Sequence, residues 1–338
     1  MKKGIAIAGT IVADIVKKIE RYPVAGMMTS ITDVSYAVGG CVPNTLIDLA
    51  KIDPTLPLYA YGAVGPDGNG DFIKKEMSAQ GINVDGITAN AGDITGFSDV
   101  MSANDTGERT FFIMRGANDT YLPPDDFLDN LPTDILHIGY ILLMGALDEA
   151  DAEYGTRLAR LLSEAQKRGI RTSIDVVSNS TALFREKVVP ALAYSNYAIM
   201  NEIEACGTAD LPARDADGKL LRENVEKAID AMFAHGVKDT VIVHCPEAGF
   251  IRHRGGETTV VPSLSLPKGY IKGSVGAGDA FCAGALYGLY CGFDDRRILE
   301  FASAAAACNL SAADSVSGMR SRAEIEALEK QYPRREEI

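Results

Sequence analysis

Near the C-terminal end of the sequence, a run of small residues is followed by one acidic residue, a pattern that could bind a ligand and take part in a reaction. Gly276, Ala277 and Gly278 precede Asp279, and an Ala- and Gly-rich segment that favours a helix follows. Backbone N–H groups in such a run approach a ligand closely and the helix dipole adds positive charge, so the pattern predicts an anion site. Asp279 beside that anion would accept a proton from a nucleophile that attacks a phosphoryl group. The same residues also fit an ordinary helix start with an acid in its first turn.

Other polar residues stand where strands are predicted to end. Asp14 follows the apolar strand 4–9, and open α/β sheets bind ligands beyond the carboxyl ends of their strands. Asn201 follows the strand 197–200 and precedes Glu204 by three residues, so both side chains fall on one helix face. Each has a structural alternative, because Asp14 also fits a turn cap and the Asn-x-x-Glu pair also fits a capping box. The residues alone leave these alternatives open.

A third group of candidates lies at a predicted helix entry. Gly39 and Gly40 come before Pro43 and Asn44, and an apolar helical segment follows. A proline in the first turn is typical of a helix N-terminus, and glycines allow the backbone to approach a neighbour or a ligand closely. Asn44 is therefore a candidate ligand-binding side chain, with a plain helix start as the alternative.

Alternating strands and helices would position these residues. Predicted strands at 58–65, 135–139 and 171–175 are separated by helical patterns, among them a helix over 151–168. The alternation predicts an α/β fold in which helices flank a doubly wound, mostly parallel central sheet. Right-handed crossovers bring the loops that follow the strands to one edge, which gathers the candidates. Residues 94–116 alternate between apolar and polar around a Gly-containing turn and predict a β-hairpin.

Composition excludes several classes of function. The net charge of −13 over 338 residues argues against binding to nucleic acid or to anionic membranes. Six scattered cysteines without a Cys-x-x-Cys pair predict buried thiols in a reducing compartment, hence a cytoplasmic protein. The four histidines form no metal-binding spacing with them, which argues against structural zinc. No apolar run approaches the roughly 20 residues that span a bilayer.

These motifs, in this order, resemble those of the ribokinase (PfkB-type) carbohydrate kinase family over nearly the whole chain. The family usually reads Asp-Thr-x-Gly-Ala-Gly-Asp, and here Gly273 and Ser274 replace the first Asp and Thr. The carboxylate missing at Gly273 helps many relatives to hold a monovalent cation, so the requirement for such a cation stays open. The resemblance implies a single ribokinase-like domain over 1–338 with a small β-sheet lid formed by segments 15–37 and 94–116.

The resemblance also implies an activity and a role for each matching residue. It implies ATP-dependent phosphorylation of a hydroxymethyl group on a sugar or sugar-like substrate, with Asp279 as the catalytic base. The residues that would bind the substrate are Asp14, Gly39, Gly40 and Asn44. Those that would bind ATP and its phosphates are Ser274, Gly276, Ala277, Gly278, Asn201 and Asn309. Asn201 and Glu204 would order Mg²⁺, largely through water.

The lid carries two further expectations. Arg109 and Arg115 flank an apolar strand and could meet a sugar phosphate, although solvent-facing strand charges are the favoured explanation. The apolar lid face predicts contact with a second copy of the chain in a homodimer.

Three alternatives accompany the sugar-kinase hypothesis. A nucleoside kinase of the same family would need an apolar lid, which Phe97, Phe111 and Phe112 could supply. A non-catalytic sugar sensor on this fold would be expected to lack Asp279 or the Asn201–Glu204 pair. A nicotinamide oxidoreductase is disfavoured, because the sequence has no Gly-x-Gly-x-x-Gly between a strand and a helix.

Overall fold

The fold is seen in a computed structural model that describes residues 3–129, 131–178 and 181–336. The strands in this part are β1 (Ile5–Gly9), β2 (Val12–Ile19), β3 (Ile31–Gly39), β4 (Leu58–Val64), β5 (Asn83–Ala89), β6 (Gly96–Ala103), β7 (Arg109–Met114), β8 (Ile135–Ile141), β9 (Ala150–Asp151), β10 (Gly155–Thr156), β11 (Arg171–Val176), β12 (Tyr197–Asn201), β13 (Thr240–His244), β14 (Ala248–His253) and β15 (Thr259–Pro262). The large sheet has the order β15-β14-β13-β12-β11-β8-β1-β4-β5.

The strands of this sheet are mostly parallel. All neighbours from β13 to β5 pair in parallel, whereas β14 and β15 add antiparallel strands at one edge. Strands buried on both faces read as continuous apolar runs, and every residue of β1 is buried. The predicted doubly wound, mostly parallel sheet is confirmed.

Helices cover both faces of the sheet. The α-helices in the described part are α1 (Cys41–Ile52), α2 (Gly68–Ala79), α3 (Arg157–Lys167), α4 (Thr181–Leu183), α5 (Val189–Leu192), α6 (Glu202–Gly207), α7 (Arg222–Ala234), α8 (Ala277–Cys291), α9 (Asp295–Asn309) and α10 (Arg322–Gln331). Ile5 and Ile7 pack into one core cluster with α1, α8 and α9, while Ala6 and Ala8 pack into a second with α3 and α7. This alternation follows from the two-residue period of a strand.

A second, smaller sheet has the strand order β3-β2-β6-β7. Its central pair, β2 and β6, is parallel, and the outer pairs are antiparallel. The segments 15–37 and 94–116 contribute these strands, although β2 already begins at Val12 and β3 ends at Gly39. All of β7 is exposed, including Phe111 and Phe112 at 48% and 55%.

The helix predicted over 151–168 is shorter in the structure, and the prediction was wrong for its first part. The helix begins at Arg157, and β9 and β10 form a two-stranded ribbon before it. The carboxylate of Asp151 accepts hydrogen bonds from the N–H groups of Glu153 and Tyr154. Such side-chain turns compete with the helix, and Gly155 adopts a left-handed backbone. The Thr156 side chain then caps the true helix start.

Within the described residues, no helix combines the length and apolar character that crossing a membrane requires.

Candidate active site

Asp279 lies in the first turn of α8, at the carboxyl edge of the large sheet. The helix is preceded by Gly276, whose φ of 77° is left-handed and favours glycine. A Cβ atom at Gly276 would lie 2.5 Å from the carbonyl oxygen of Ser315, so a larger residue would displace this turn. In the part of the chain that the structure describes, no side chain caps the helix start. Its first N–H groups therefore remain free of a side-chain cap and can bind an anion.

Two side chains hold one oxygen of the Asp279 carboxylate. Its Oδ2 accepts hydrogen bonds from Asn44 Nδ2 at 2.8 Å and from the Tyr140 hydroxyl at 2.9 Å. The other oxygen, Oδ1, accepts no side-chain hydrogen bond from the described residues. Burial raises the pKa of Asp279 to about 6, and the charge of Asp175 acts in the same direction, while the two hydrogen bonds oppose the shift. The carboxylate is therefore oriented through one oxygen and can take a proton near neutral pH.

A cavity of about 200 Å³ lies between α8 and the small sheet. Its polar lining includes Asp14 and Asn44, and Phe111 and Ile113 from β7 form an apolar wall. Arg115 also lines the cavity, and its guanidinium pairs with Asp119 at 3.3 Å. A pocket with polar groups at one end and an apolar cover suits a small polyhydroxylated ligand.

Asp14 reaches this cavity from β2. Burial, and then the negative charge of Asp279, raise the pKa of Asp14 to about 7. The turn before β2 is held by Asn118, whose side chain accepts a hydrogen bond from the N–H of Ile11 and donates one to its carbonyl. The two carboxyl groups, Asp14 and Asp279, thus share one electrostatic environment.

Gly39 and Gly40 allow close packing around Asp14. A Cβ atom at Gly39 would lie 2.5 Å from Asp14 Oδ2, and one at Gly40 would lie 2.4 Å from the carbonyl oxygen of Thr10. Gly40 lines the cavity and has a left-handed φ of 85°. The contact with the Asp14 side chain at Gly39, and the backbone contact and left-handed φ at Gly40, therefore favour glycine at both positions, whatever ligand binds.

A second cavity, of about 210 Å³, lies on the other side of Asp279. It is lined by the helix start at Gly276 and Gly278 and by Asn201 and Glu204. Tyr140 and Gly276 line both cavities, and Asp279 itself lines the second. The Asp279 carboxylate therefore lines the second cavity and is hydrogen-bonded to Asn44 and Tyr140, which line the first.

Asn201 and Glu204 form the capping box that their spacing also allowed. Asn201 Oδ1 accepts the N–H of Glu204 at 2.9 Å, and Glu204 Oε2 accepts the N–H of Asn201 at 3.0 Å. Burial raises the pKa of Glu204 to about 8, and the charge of Asp175 acts in the same direction. Because both residues line the second cavity, the capping role does not exclude their contact with a ligand.

His137, Asp175 and Cys282 form a buried polar cluster below Asp279. Their ligand-type atoms lie within 4.8 Å of one another, and no other group of three or more His, Cys, Asp or Glu residues in the described part does this. His137 Nδ1 lies 2.9 Å from Ser173 Oγ, and its Nε2 lies 3.2 Å from Asp175 Oδ2. Both ring nitrogens thus have protein partners, so we interpret the cluster as a hydrogen-bonded group.

Two expected nucleotide-binding residues lie away from both cavities. Asn309 is fully buried, and its Nδ2 donates to the carbonyl oxygen of Ser315. A fully buried side chain offers no surface to a nucleotide, so the structure does not place Asn309 in a nucleotide pocket. Ser274 is exposed before α8, lines neither cavity, and its carbonyl oxygen accepts the N–H of Ala277.

The sequence reasoning missed Tyr140 and His137. Both belong to β8, whose predicted extent stopped at Gly139, one residue short of Tyr140. A polar aromatic residue directly after an apolar strand was the available signal, since ligand groups gather beyond strand ends. His137 gave no such signal, because one histidine within an apolar strand is usually a core residue.

Comparisons with known proteins identify the family of this chain. The profile described as "pfkB family carbohydrate kinase" matches residues 2–322. The 5-dehydro-2-deoxygluconokinase of Listeria innocua is 28% identical over 296 residues, which are 86% of each protein. The ribokinase of Arabidopsis thaliana is 25% identical over 96% of this chain and 81% of that protein.

A solved structure of Arabidopsis thaliana ribokinase, complexed with ribose and ATP, matches the fold. Its TM-score is 0.80 at 21% identity, over 98% of this chain and 99% of that chain. The central sheet with its helices and the small second sheet thus form a ribokinase-like fold. The family profile covers most of the sequence. The two relatives reported above match this chain over most of their length and are named as sugar kinases. The chain therefore belongs to the pfkB family and is a carbohydrate kinase.

Proposed function

We propose that this kinase transfers the γ-phosphoryl group of ATP to a hydroxymethyl group of a sugar or sugar acid, with Asp279 as the catalytic base. The observation that carries the proposal is the position of the Asp279 carboxylate, which lines the second cavity and is held by Asn44 and Tyr140 from the first. Its Oδ1 accepts no side-chain hydrogen bond from the described residues. The acceptor would occupy the cavity beside Asp14 and Asn44. The phosphates would occupy the cavity at the start of α8.

In this mechanism the chain orients the acceptor, supplies a catalytic base and directs the positive ends of backbone N–H dipoles at the phosphoryl group. Asp14, Asn44 and the backbone at Gly40 would hold the acceptor hydroxyls. Asp279 would take the proton of the attacking hydroxyl, and a pKa near the working pH favours this transfer. The N–H groups from Gly276 to Gly278 would stabilise charge on the transferring phosphoryl group.

The lining of the second cavity fits a hydrated magnesium ion. Asn201 and Glu204 would orient Mg²⁺, largely through water, since oxygen ligands and retained waters are what this ion prefers. When bound, Mg²⁺ neutralises charge on the phosphates during transfer. His244 also lines this cavity, and burial lowers its pKa to about 4, so the ring is neutral at physiological pH and repels no cation.

Arg115 supports an acidic sugar as the acceptor. Among the described residues that line the acceptor cavity, Arg115 is the only lysine or arginine. Its carboxylate partner Asp119 is half exposed. Exchange of Asp119 for a substrate carboxylate would keep the guanidinium paired. The name of the Listeria innocua relative places its substrate among the deoxygluconates, which are sugar acids.

The experiment is ADP release with Mg²⁺ and ATP across neutral sugars, keto-deoxy sugar acids, sugar phosphates and nucleosides. We expect the highest kcat/KM with a sugar acid and a preferential loss of that activity in Arg115→Gln. A nucleoside is the second candidate acceptor, because Phe111, Ile113 and Leu143 line the same cavity. Turnover of nucleosides alone would replace the sugar proposal. ATP binding without turnover of any acceptor would support the sensor alternative.

The six cysteines are free thiols, five of them buried, which fits a reducing compartment and the cytoplasm as location. The exposed apolar side chains of the small sheet that do not line the acceptor cavity suit a homodimer contact through the lid, namely Ile31, Val34, Tyr36, Phe112 and Met114. Sedimentation velocity should give a dimer that Phe112→Asp converts to a monomer.

A further inference from the structure

Tyr140 adopts a backbone conformation that is unusual for its residue type. Its φ of 61° lies in the left-handed region, and the other non-glycine residues of the described chain that share this region are Leu142 and Asp210. Tyrosine gains nothing locally from this conformation, so the surroundings must impose it. Such residues are found where a side chain has to be held in one place.

A break in strand pairing produces this conformation. The register between β8 and β11 shifts between Ile174 and Val176, and Val176 pairs with Ile141 after the shift. Bulges of this kind re-aim a side chain next to a functional site. Here the irregularity lies between Asp175 and Tyr140, and the tyrosine hydroxyl reaches the Asp279 carboxylate at 2.9 Å.

A chain of buried polar contacts holds Tyr140 from below. Asp175 Oδ1 accepts the backbone N–H of Tyr140 at 2.5 Å, and Asp175 Oδ2 lies 3.2 Å from His137 Nε2. Ser173 Oγ in turn contacts His137 Nδ1. His137 and Ser173 are fully buried and Asp175 is nearly so, which leaves the carboxylate of Asp175 few alternative positions.

We propose that Tyr140 is a positioning residue, and that Asp175 and His137 hold it so that its hydroxyl orients the carboxylate of Asp279 towards the acceptor. The proposal rests on the proposed function in so far as Asp279 is the base. The hydroxyl and Asn44 both bind Oδ2, and this geometry leaves Oδ1 for the proton of the acceptor. The polar cluster of the core is thereby connected to the reacting group.

The electrostatic surroundings of Asp279 determine what each substitution should do. The groups that face it are Asn44 and Asp48 from α1, Cys41 at the start of that helix, Tyr140 and His137 from β8, Asp175 from β11, Asp14 from β2 and Cys282 from α8 itself. The Tyr140 hydrogen bond favours the charged carboxylate, whereas the charge of Asp175 disfavours it. Removing the hydroxyl should therefore raise the pKa of Asp279, and removing the charge should lower it.

The test compares Tyr140→Phe with Asp175→Asn, each checked for folding by circular dichroism. Tyr140→Phe should lower kcat on the order of tenfold, leave KM nearly unchanged, and move the acid limb of the pH–rate profile up by about one pH unit. Asp175→Asn keeps an oxygen that can accept the N–H of Tyr140 but removes the negative charge, so it should move the same limb down. Tyr121→Phe is the matched control, because it removes a buried hydroxyl that has no hydrogen-bond partner among the described residues. It should leave the profile unchanged.

Three outcomes would overturn the inference. The first is a Tyr140→Phe variant that keeps the wild-type kcat and pH profile. The second is a variant in which only KM rises, because this would make Tyr140 a substrate contact. Titration of the ¹³C-labelled aspartate carboxyls by NMR, with Asp279→Asn for assignment, measures the same shifts without turnover. Shifts of opposite sign in the two variants support the inference even if no acceptor is phosphorylated. Equal titration curves in wild type and in both variants overturn it even if the kinase is active.

Discussion

The side-chain amide of Asn44 donates a 2.8 Å hydrogen bond to the carboxylate of Asp279, which lies 235 residues later in the chain. Asn44 Oδ1 also accepts a hydrogen bond from Ser315 Oγ at 3.0 Å. One amide thus joins the start of α1, the start of α8 and the segment that follows α9. These contacts connect the acceptor cavity to the base.

Asn44→Ala should remove this connection. Loss of a hydrogen bond to a buried carboxylate raises the pKa of Asp279 and loosens its orientation, so we expect kcat/KM to fall on the order of 10-fold to 100-fold. Steady-state kinetics at pH 6 and pH 8 should show the larger defect at pH 6. Asn83→Ala, in an exposed part of β5, is the control. Equal defects at both pH values would contradict a role through the pKa of Asp279.

Asp279→Asn should nearly abolish phosphoryl transfer while the nucleotide still binds. A positioned general base contributes roughly 10²-fold to 10⁴-fold, and the amide cannot accept the proton. The N–H groups at the start of α8 and the residues Asn201 and Glu204 stay in place, so calorimetry should measure an ATP affinity close to that of wild type. Turnover within tenfold of wild type would remove Asp279 from the proposed mechanism.

The rate should depend on pH with an acid limb near pH 6. Burial raises the pKa of Asp279 to about 6, and the base acts only when ionised, so kcat/KM should fall towards tenfold per pH unit below this value. Asp14, with a pKa raised to about 7, interacts with Asp279 and should broaden the limb. A profile that is flat between pH 5 and pH 8 with a non-ionising acceptor would be inconsistent with this base.

Asp48→Asn should stabilise the protein at neutral pH. Asp48 is fully buried, neither carboxylate oxygen has a hydrogen-bond partner among the described residues, and burial raises its pKa well above the usual range. The unfolded chain ionises this group above about pH 4, whereas the folded protein keeps it protonated, so stability is lost as the pH rises from the unfolded towards the folded pKa. The Tm should therefore rise by several degrees at pH 8 and little at pH 4.

Asp53→Asn is the control of opposite sign. Thr55 donates hydrogen bonds to Asp53, and these bonds hold the pKa of Asp53 below its usual value despite an opposing contribution from burial. A group with a lowered folded pKa stabilises the protein above the unfolded pKa. Its replacement should thus lower the Tm slightly at pH 8. A lower Tm in Asp48→Asn at pH 8 would mean that the buried carboxylate has a stabilising partner.

The fold class and the reaction class were predicted from the sequence, and both are confirmed. Periodic apolar strands and helices are local patterns, so the mostly parallel sheet could be read directly. The helix start at Gly276 could also be read, because its small residues and the acid after them are adjacent in the chain. Competition between a helix and a side-chain turn was harder to predict. At Asp151 such a turn displaces the first part of the predicted helix.

The surroundings of Asp279 could not be read in this way. Asn44, Tyr140 and Asp175 come from three separate elements, and only the order of strands in the sheet brings them together. Asn309 illustrates the converse, because its polar side chain is fully buried instead of lining a cavity. The sequence by itself determined the chemical groups and the elements that carry them, since these depend on neighbouring residues. The tertiary structure decided which oxygen of Asp279 is held and how far its pKa rises, since desolvation and hydrogen bonding depend on residues distant in the chain.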